Sequence, residues 1–276
     1  SPVSHRGMLI GFFANKNHMG LVLACSIPLC YFLIRDRIFA SDAVGFFYII
    51  LIVVVMGLLV ATNSRAGLAL GGAAVVLVAM RHFSAHRIRV LGLAGGLVVL
   101  FVAISSFVPV IGDLLGRVGD AQDDLRGDFV ERSAPLIWQY GTVGSGLGSF
   151  TYVYAPTEKL EWVNGAYLNH LHNEYLQLII EAGIAGLVIM ALWFGAFFQA
   201  AMRLRSAQNG KSLWSSDLGD LSWLGAVIIG LFLAHSIVDY PIRRMGSLVI
   251  LAIAASIFFY PMVTRISAGR GITLRP

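Results

Sequence analysis

The stretch AVGFFYIILIVVVMGLLVAT, residues 43–62, decides what kind of protein this is. It holds twenty residues without a charge, close to the roughly 20 that a helix needs to cross a hydrocarbon layer of about 30 Å. It is apolar on every face, whereas a surface helix of a soluble domain shows one apolar stripe and one polar side. Comparable uncharged runs occur at 19–34, 66–80, 90–112, 182–202, 221–238 and 245–264. The expected fold is therefore an all-α, polytopic membrane helix bundle of about seven transmembrane helices, with one long loop of short helices. The runs at 19–34 and 66–80 are only 16 and 15 residues long, so each must borrow flanking residues or tilt little.

The rest of the composition agrees. The 276 residues are 57% hydrophobic and 13% charged, with a mean hydropathy of +0.77. A soluble domain of this length could not cover itself with polar surface on that supply. The pI near 9.4 is a topology signal and no sign of nucleic-acid binding. Alternate loops and the tail carry eleven Lys/Arg against Asp36, Asp42, Asp217 and Asp220, whereas the remaining segments hold nine Lys/Arg and eleven Asp/Glu. By the positive-inside rule the first set faces the cytoplasm. The 113–181 segment and the 239–244 loop are then expected outside.

Three portions are expected: 1–112 as an N-terminal four-helix membrane part, 113–181 as the periplasmic loop, and 182–276 as a C-terminal three-helix part. The chain begins with Ser1 and shows no signal peptide before its first span, so upstream helices are expected to be missing. Cys25 and Cys30 both fall inside that span and are read as packing residues.

Chemistry is expected in the 69-residue outer segment, because loops held on a rigid scaffold concentrate functional groups. It opens with an acidic patch at 120–128 and continues through an amphipathic stretch at 129–140. A glycine cluster follows at Gly141, Gly144, Gly146 and Gly148. Aromatics at Tyr152, Tyr154, Trp162 and Tyr167 suit chain lying at headgroup level. Residues 168–202 are expected to form one helix entering the membrane, with Asn169 as its N-cap.

Within that segment, His170-Leu171-His172-Asn173-Glu174 is followed, after a gap of nine residues from Asn173, by Gly183 and Gly186. This arrangement resembles the signature of the O-antigen ligase and Wzy polymerase superfamily of bacterial inner-membrane glycosyltransferases. Other passages support the resemblance: Asn15, Lys16, Asn17 and His18 before the first span, Ser64 and Arg65 after the second, and Arg126 placed eighteen residues before Gly144. His235, Ser236, Asp239 and Tyr240 form a further passage of this kind. The resemblance implies transfer of a glycan from an undecaprenyl diphosphate carrier to a saccharide acceptor, either the lipid A core or a growing polysaccharide. The reaction it implies inverts the anomeric centre and uses neither a metal nor another cofactor.

Physical chemistry assigns roles within that implication. A departing diphosphate is helped by fixed cations, and a guanidinium donates two hydrogen bonds to phosphate oxygens. Arg65 and Arg126 are the candidate diphosphate ligands, with Arg132 as a substitute for the second. Positive charge at Arg65 runs against the orientation rule and so needs another reason. A sugar hydroxyl needs a proton acceptor, and His172, expected in the first turn of its helix, is the candidate catalytic residue. Asn173, Glu181, His235 and Asp239 are candidate supporting residues, their bland reading being that they hold helices together.

His170 as a metal ligand and Asp120, Asp123 and Asp124 as a metal cluster are disfavoured against solvated or coincidental readings, and no metal site is expected. The Gly144–Gly148 cluster lacks a P-loop lysine and is read as a tight turn at the membrane surface. The alternative from another class is a transporter or flippase using Arg65, Glu181 and His235 as intramembrane charges, although no inverted repeat is visible. A hydrolase built on Ser145 or Ser149 would need a base within reach.

Overall fold

The structure is a computed structural model and describes residues 10–13, 15–38, 41–105, 126–158, 168–205 and 217–269. Among these residues every regular element is helical. The helices are α1 (Lys16–Ile38), α2 (Asp42–Ala61), α3 (Arg65–His82), α4 (Arg87–Ser105), α5 (Arg126–Tyr140), α6 (Phe150–Tyr154), α7 (Glu174–Arg205), α8 (Asp217–His235) and α9 (Met245–Gly269). Single 3-10 turns stand before α4, after α6 and before α9. The chain divides into two compact units, His5–Gly127 and Asp128–Pro276.

Among the described residues four helices are long and apolar enough to cross a membrane: α1, α2, the Glu174–Met202 part of α7, and the Met245–Val263 part of α9. They carry large side chains such as Phe47, Val53, Ile189, Leu192 and Ile253 on exposed faces. In water that would invite aggregation, and in hydrocarbon it is the required outer surface. The apolar runs at 66–80 and 90–112, expected as two separate spans, meet at a corner. Arg65–His82 and Ser84–Gly96 are bent by 105°, the geometry of a broken span or a re-entrant loop. The part of the expected fourth span beyond residue 105 lies outside the described residues. Gly219–His235 is apolar but shorter than a full span. Among the described residues the candidate spans are therefore four, or five with the bent pair counted as one, and the expected seven are not all seen there.

In the N-terminal unit α1 and α3 pack at a glycine contact. A Cβ added to Gly67 would sit 2.8 Å from the Cα of Gly20, and one added to Gly20 would sit 2.9 Å from the Cα of Gly67. Small residues let helix backbones approach this closely, which is how helices gain contact where lipid removes the hydrophobic drive. One buried polar bond crosses the same junction, the Ser64 hydroxyl donating to Asn17 Oδ1 at 2.8 Å. Ser64 also caps α3 by accepting from the Gly67 N–H at 3.0 Å. Asn17, Ser64 and Arg65, far apart in sequence, thus form one junction, with Arg65 as the exposed first residue of α3.

In the C-terminal unit, α5 from Asp128 onward and α6 share a core with the start of α7. Leu136, Phe150, Tyr154, Leu171 and Ile180 are buried there, and Phe129, Val130 and Leu176 pack against them. The Phe150 and Tyr154 rings stack at 5.5 Å. The amphipathic stretch at 129–140 is the helix its periodicity implied. Parts of the outer segment, 106–125 and 159–167, lie outside the described residues, and with them the acidic residues Asp120, Asp123 and Asp124.

The expectation of one helix over 168–202 capped by Asn169 is corrected. The helix starts at Glu174, where Asn173 Oδ1 accepts the Leu176 N–H at 3.0 Å and its carbonyl accepts the Gln177 N–H at 3.0 Å. Asn173 is therefore the cap, and 168–173 is non-helical chain leading to it. The helix is also interrupted, since Gly183 has φ 57° and ψ −146°.

Candidate active site

Two anchors fix the turn before α7. Leu171 is fully buried in the core, and its N–H donates to Gln177 Oε1 at 3.0 Å. Three residues on, the Glu174 N–H donates to the Ser236 carbonyl at 2.9 Å, and the Tyr175 hydroxyl donates to the Leu233 carbonyl at 2.8 Å. His172 lies between these anchors at φ 57°. A left-handed conformation costs a non-glycine residue roughly 1–2 kcal/mol. Full burial of a leucine side chain contributes about 1.5–3 kcal/mol and a hydrogen bond about 1 more, so the anchors outweigh the strain. Such strain, held by its surroundings, recurs at functional sites. His172 is thus just outside the helix and not in its first turn as expected, so its electrostatic partner has to come from elsewhere.

That partner is Asp239. His172 Nδ1 lies 3.3 Å from Asp239 Oδ1, with the imidazole 26% exposed and the carboxylate fully buried. Nδ1 is itself buried and has no aligned hydrogen-bond partner among the described residues, so the exposed part of the ring lies away from Asp239. Asp239 is held by its own loop, where Oδ1 accepts the Tyr240 N–H at 2.9 Å and its N–H donates to the His235 carbonyl at 2.9 Å. Two aromatic rings flank the imidazole, Phe129 near-parallel at 6.5 Å and Tyr240 edge-on at 4.9 Å. Asp239 is 67 residues from His172, a pairing that no local spacing reveals.

His170 packs against the same Tyr240 ring at 4.2 Å, and its Nδ1 is 3.4 Å from Gln177 Nε2. Burial, reinforced by the nearby cations Arg243 and Arg244, pushes its imidazole down to about 4. At neutral pH it is an uncharged ring.

Beside this cluster stands a charge network. Glu174, Gln177 and Glu181 recur at helical spacing and so share one face of α7. The Glu174 carboxylate accepts the Ile242 N–H at 3.0 Å, the Arg243 N–H at 3.2 Å and Arg243 Nε at 2.9 Å. The Glu181 carboxylate accepts Arg243 Nη1 at 2.8 Å, Gln177 Nε2 at 2.9 Å and the Phe150 N–H at 3.4 Å. One guanidinium therefore joins two buried carboxylates and ties the 241–243 turn to α7. Arg244, the next residue, lies over the Tyr240 ring at 5.0 Å.

The glycine spacing now has a cause. Because α7 opens at Gly183, the carbonyls of Ile180 and Glu181 accept the N–H groups of Ser145 and Gly146, both at 2.9 Å, while the Ile184 N–H donates to the Thr142 carbonyl at 3.1 Å. Gly144, at φ 90°, fits where a Cβ would meet the Glu181 carbonyl oxygen at 2.5 Å. The glycine loop is grafted into the helix break, and its N–H groups close the ladder there, as buried backbone in a membrane protein requires. The gap from Asn173 to Gly183 sets this graft about 15 Å along the helix from His172, at 1.5 Å per residue.

An apolar groove of about 480 Å³ starts at Glu174 and Arg243 and runs along α7, α8 and α9, past Leu178, Trp193, Leu233 and Leu251. It joins the charged cluster to the lipid-facing part of the unit.

The structure thus brings His172, Asn173, Glu181 and Asp239 into one cluster, with His235 fully buried at the end of α8. Arg65 belongs to the N-terminal unit. Arg126 opens α5, and its side chain lies outside the described residues. Arg132 sits beside Tyr154, whose hydroxyl burial pushes up and Arg132 partly pulls back. Ser145 and Ser149 donate to the Ile180 and Gly146 carbonyls, so the hydroxyls of the hydrolase reading are committed to backbone. Sequence reasoning named Tyr240 only within the 235–240 passage and missed Glu174, Gln177 and Arg243 as parts of the site. A polar stripe on an apolar helix demands a partner cation, which was the available signal for Arg243.

No curated protein and no solved structure matches this chain. The family model described as O-antigen ligase matches residues 49–191, more than half of the sequence and a range that contains the His172 turn, the glycine graft and Glu181. The chain belongs to the O-antigen ligase family.

Proposed function

We propose that this membrane protein transfers a glycan from an undecaprenyl diphosphate carrier to a saccharide hydroxyl at the periplasmic face, as an O-antigen ligase or polymerase. The observation that carries the reading is His172, strained, partly exposed, and set with one nitrogen against the buried Asp239 carboxylate. A carboxylate at Nδ1 favours a proton there and leaves Nε2 as the basic nitrogen. In this reading Nε2 takes the proton of the acceptor hydroxyl as its oxygen attacks the anomeric carbon. The bond from that carbon to the diphosphate oxygen breaks, and the diphosphate leaves with the electron pair. Asp239 stabilises the imidazolium that forms. Phe129 and Tyr240 supply flat apolar walls against which a sugar face packs.

Arg243 has two of its nitrogens engaged by Glu174 and Glu181, so its role is to order the His172 cluster; Arg65 and Arg126 remain the proposed diphosphate ligands on the strength of the family resemblance. Arg244, over the Tyr240 ring, is a further cation of the same cluster. The apolar groove suits the isoprenoid part of the carrier. The family match supports the reaction class, and the ligase or polymerase outcome depends on which acceptor reaches His172.

The test is glycan transfer by the purified protein in proteoliposomes supplied with a polyprenyl diphosphate glycan and an acceptor saccharide. His172→Ala is expected to lower turnover by about 10²–10⁴-fold, the usual contribution of a positioned base, with carrier binding retained. Turnover at the wild-type rate in that variant rejects His172 as the base.

A further inference from the structure

We propose that the N-terminal unit holds an anionic phospholipid, with an acyl chain in an apolar pocket where α1 and α3 end and α2 begins, and its phosphate on the arginines of that end. This inference is independent of the transfer reaction.

The pocket has a volume of about 230 Å³ and is lined by Ile38, Tyr48, Ile52, Val78, His82 and Phe83 among others. Its polar lining groups are occupied with protein. The Tyr48 hydroxyl donates to the Ile27 carbonyl at 3.0 Å, and the Tyr31 hydroxyl lies 3.5 Å from His82 Nδ1. The wall therefore offers water almost nothing, and an apolar cavity of this kind takes hydrocarbon in preference to water.

The charges of this end decide which lipid. Segments 35–42 and 81–89 contain Arg35, Arg37, Arg81, Arg87 and Arg89, with His82 and His86, against only Asp36 and Asp42. Asp36 is itself paired with Arg35 at 3.4 Å. Arg37 and Arg81 neighbour the lining residues Ile38 and His82 in the chain, and Arg87 follows the single 3-10 turn after Phe83. Arg37, Arg87 and Arg89 are exposed. A zwitterionic headgroup carries the same phosphate but also a cation that the guanidinium groups repel, whereas a headgroup of net negative charge gains from each nearby guanidinium. The 105° corner between α3 and the following helix falls at the lining residues His82 and Phe83, so the chain carrying Arg87 and Arg89 leaves from the pocket's edge.

The experiment uses the full chain in mild detergent, titrated separately with dioleoyl phosphatidylglycerol and dioleoyl phosphatidylcholine, with retention read by native mass spectrometry. The two lipids share their chains and differ in headgroup charge. Phosphatidylglycerol is expected to bind roughly ten-fold more tightly. The pair Arg87→Gln and Arg89→Gln should cut that preference several-fold, and Gly45→Leu should weaken both lipids. Gly45 lines the pocket, and a Cβ there meets only Ile38 Cγ2 at 3.9 Å, so leucine fills the cavity without a clash. If Gly45→Leu fails to fold, the exposed arginine pair still decides. Equal affinity for the two lipids, or a preference unmoved by any of these substitutions, overturns the proposal.

Discussion

The two units solve the same problem, holding apolar helices together where lipid competes for every apolar face, with different means. The N-terminal unit relies on fit. Gly20 and Gly67 bring α1 against α3, and the Asn17–Ser64 bond adds one directional tie. The C-terminal unit uses fit too, Gly225 bringing α8 against Ala254 and Phe258 of α9, and adds charge, with Glu174, Glu181 and Arg243 joining α7 to the 241–243 turn and Asp239 buried against His172. Ionisable groups inside a membrane protein are costly and concentrate where chemistry needs them. In the function proposed above the reactive machinery belongs to the second unit, and the first has the character of a fitted scaffold.

The sharpest way to break this comparison is to remove the shared cation. Arg243→Met leaves two buried carboxylates without their guanidinium, and loss of one partner from a buried pair costs about 3–5 kcal/mol. The expected outcome is a large drop in melting temperature in detergent together with loss of transfer. Adding Glu181→Gln to Arg243→Met should recover part of the stability, because one orphaned charge is gone. A melting temperature unchanged by Arg243→Met would mean that the network contributes nothing net, and the division into a fitted and a charged unit would fail.

The counterpart on the fitted side is Gly67→Val. Its Cβ would meet Gly20 Cα at 2.8 Å, and backbone cannot yield as a flexible side chain does. Overpacking of this kind costs roughly 1–3 kcal/mol, so a smaller drop in melting temperature is expected than for Arg243→Met. Thermal melts of the two variants side by side rank the effects, and a Gly67→Val variant as stable as wild type would show that the α1–α3 crossing has slack.

Much of this was legible before any coordinates. The apolar runs at 19–34, 43–62, 182–202 and 245–264 lie on α1, α2, α7 and α9, because a bilayer imposes a length that few other settings impose. A break between the runs at 66–80 and 90–112 was expected from the charges at 81–89, but its 105° geometry was hidden, since Phe83, Ser84 and Ala85 include no Gly or Pro to define a turn. The break in α7 was hidden for a different reason. Gly183 reads equally as a small packing residue, and only the arriving loop with Gly144 shows that its φ is what matters. Arg243 stands in the short 239–244 loop, where nothing in the local sequence points to α7. The fold gives the Asp239 carboxylate to His172 and sends Arg243 to α7. Pairings across 60 or more residues depend on which helix ends meet, and composition and local period do not encode that.

The smallest expected effect sharpens the comparison through pH. His170 lies outside the spans, and burial with Arg243 and Arg244 nearby lowers its imidazole from 6.5 to about 4. The unfolded chain then takes up a proton at a higher pH than the folded chain does. The contribution of the neutral ring to stability is complete above 6.5 and is lost progressively as pH falls from there toward 4. His170→Asn removes this titration while keeping a polar group beside Gln177. Melting temperatures of wild type and variant at pH 7.5 and pH 5 isolate it, because every other titrating group is common to both. The wild type should lose more stability than the variant over that interval. An equal loss in both would mean that the ring is solvated enough to accept its proton freely, and acid sensitivity of the charged unit would then have to come from its carboxylates alone.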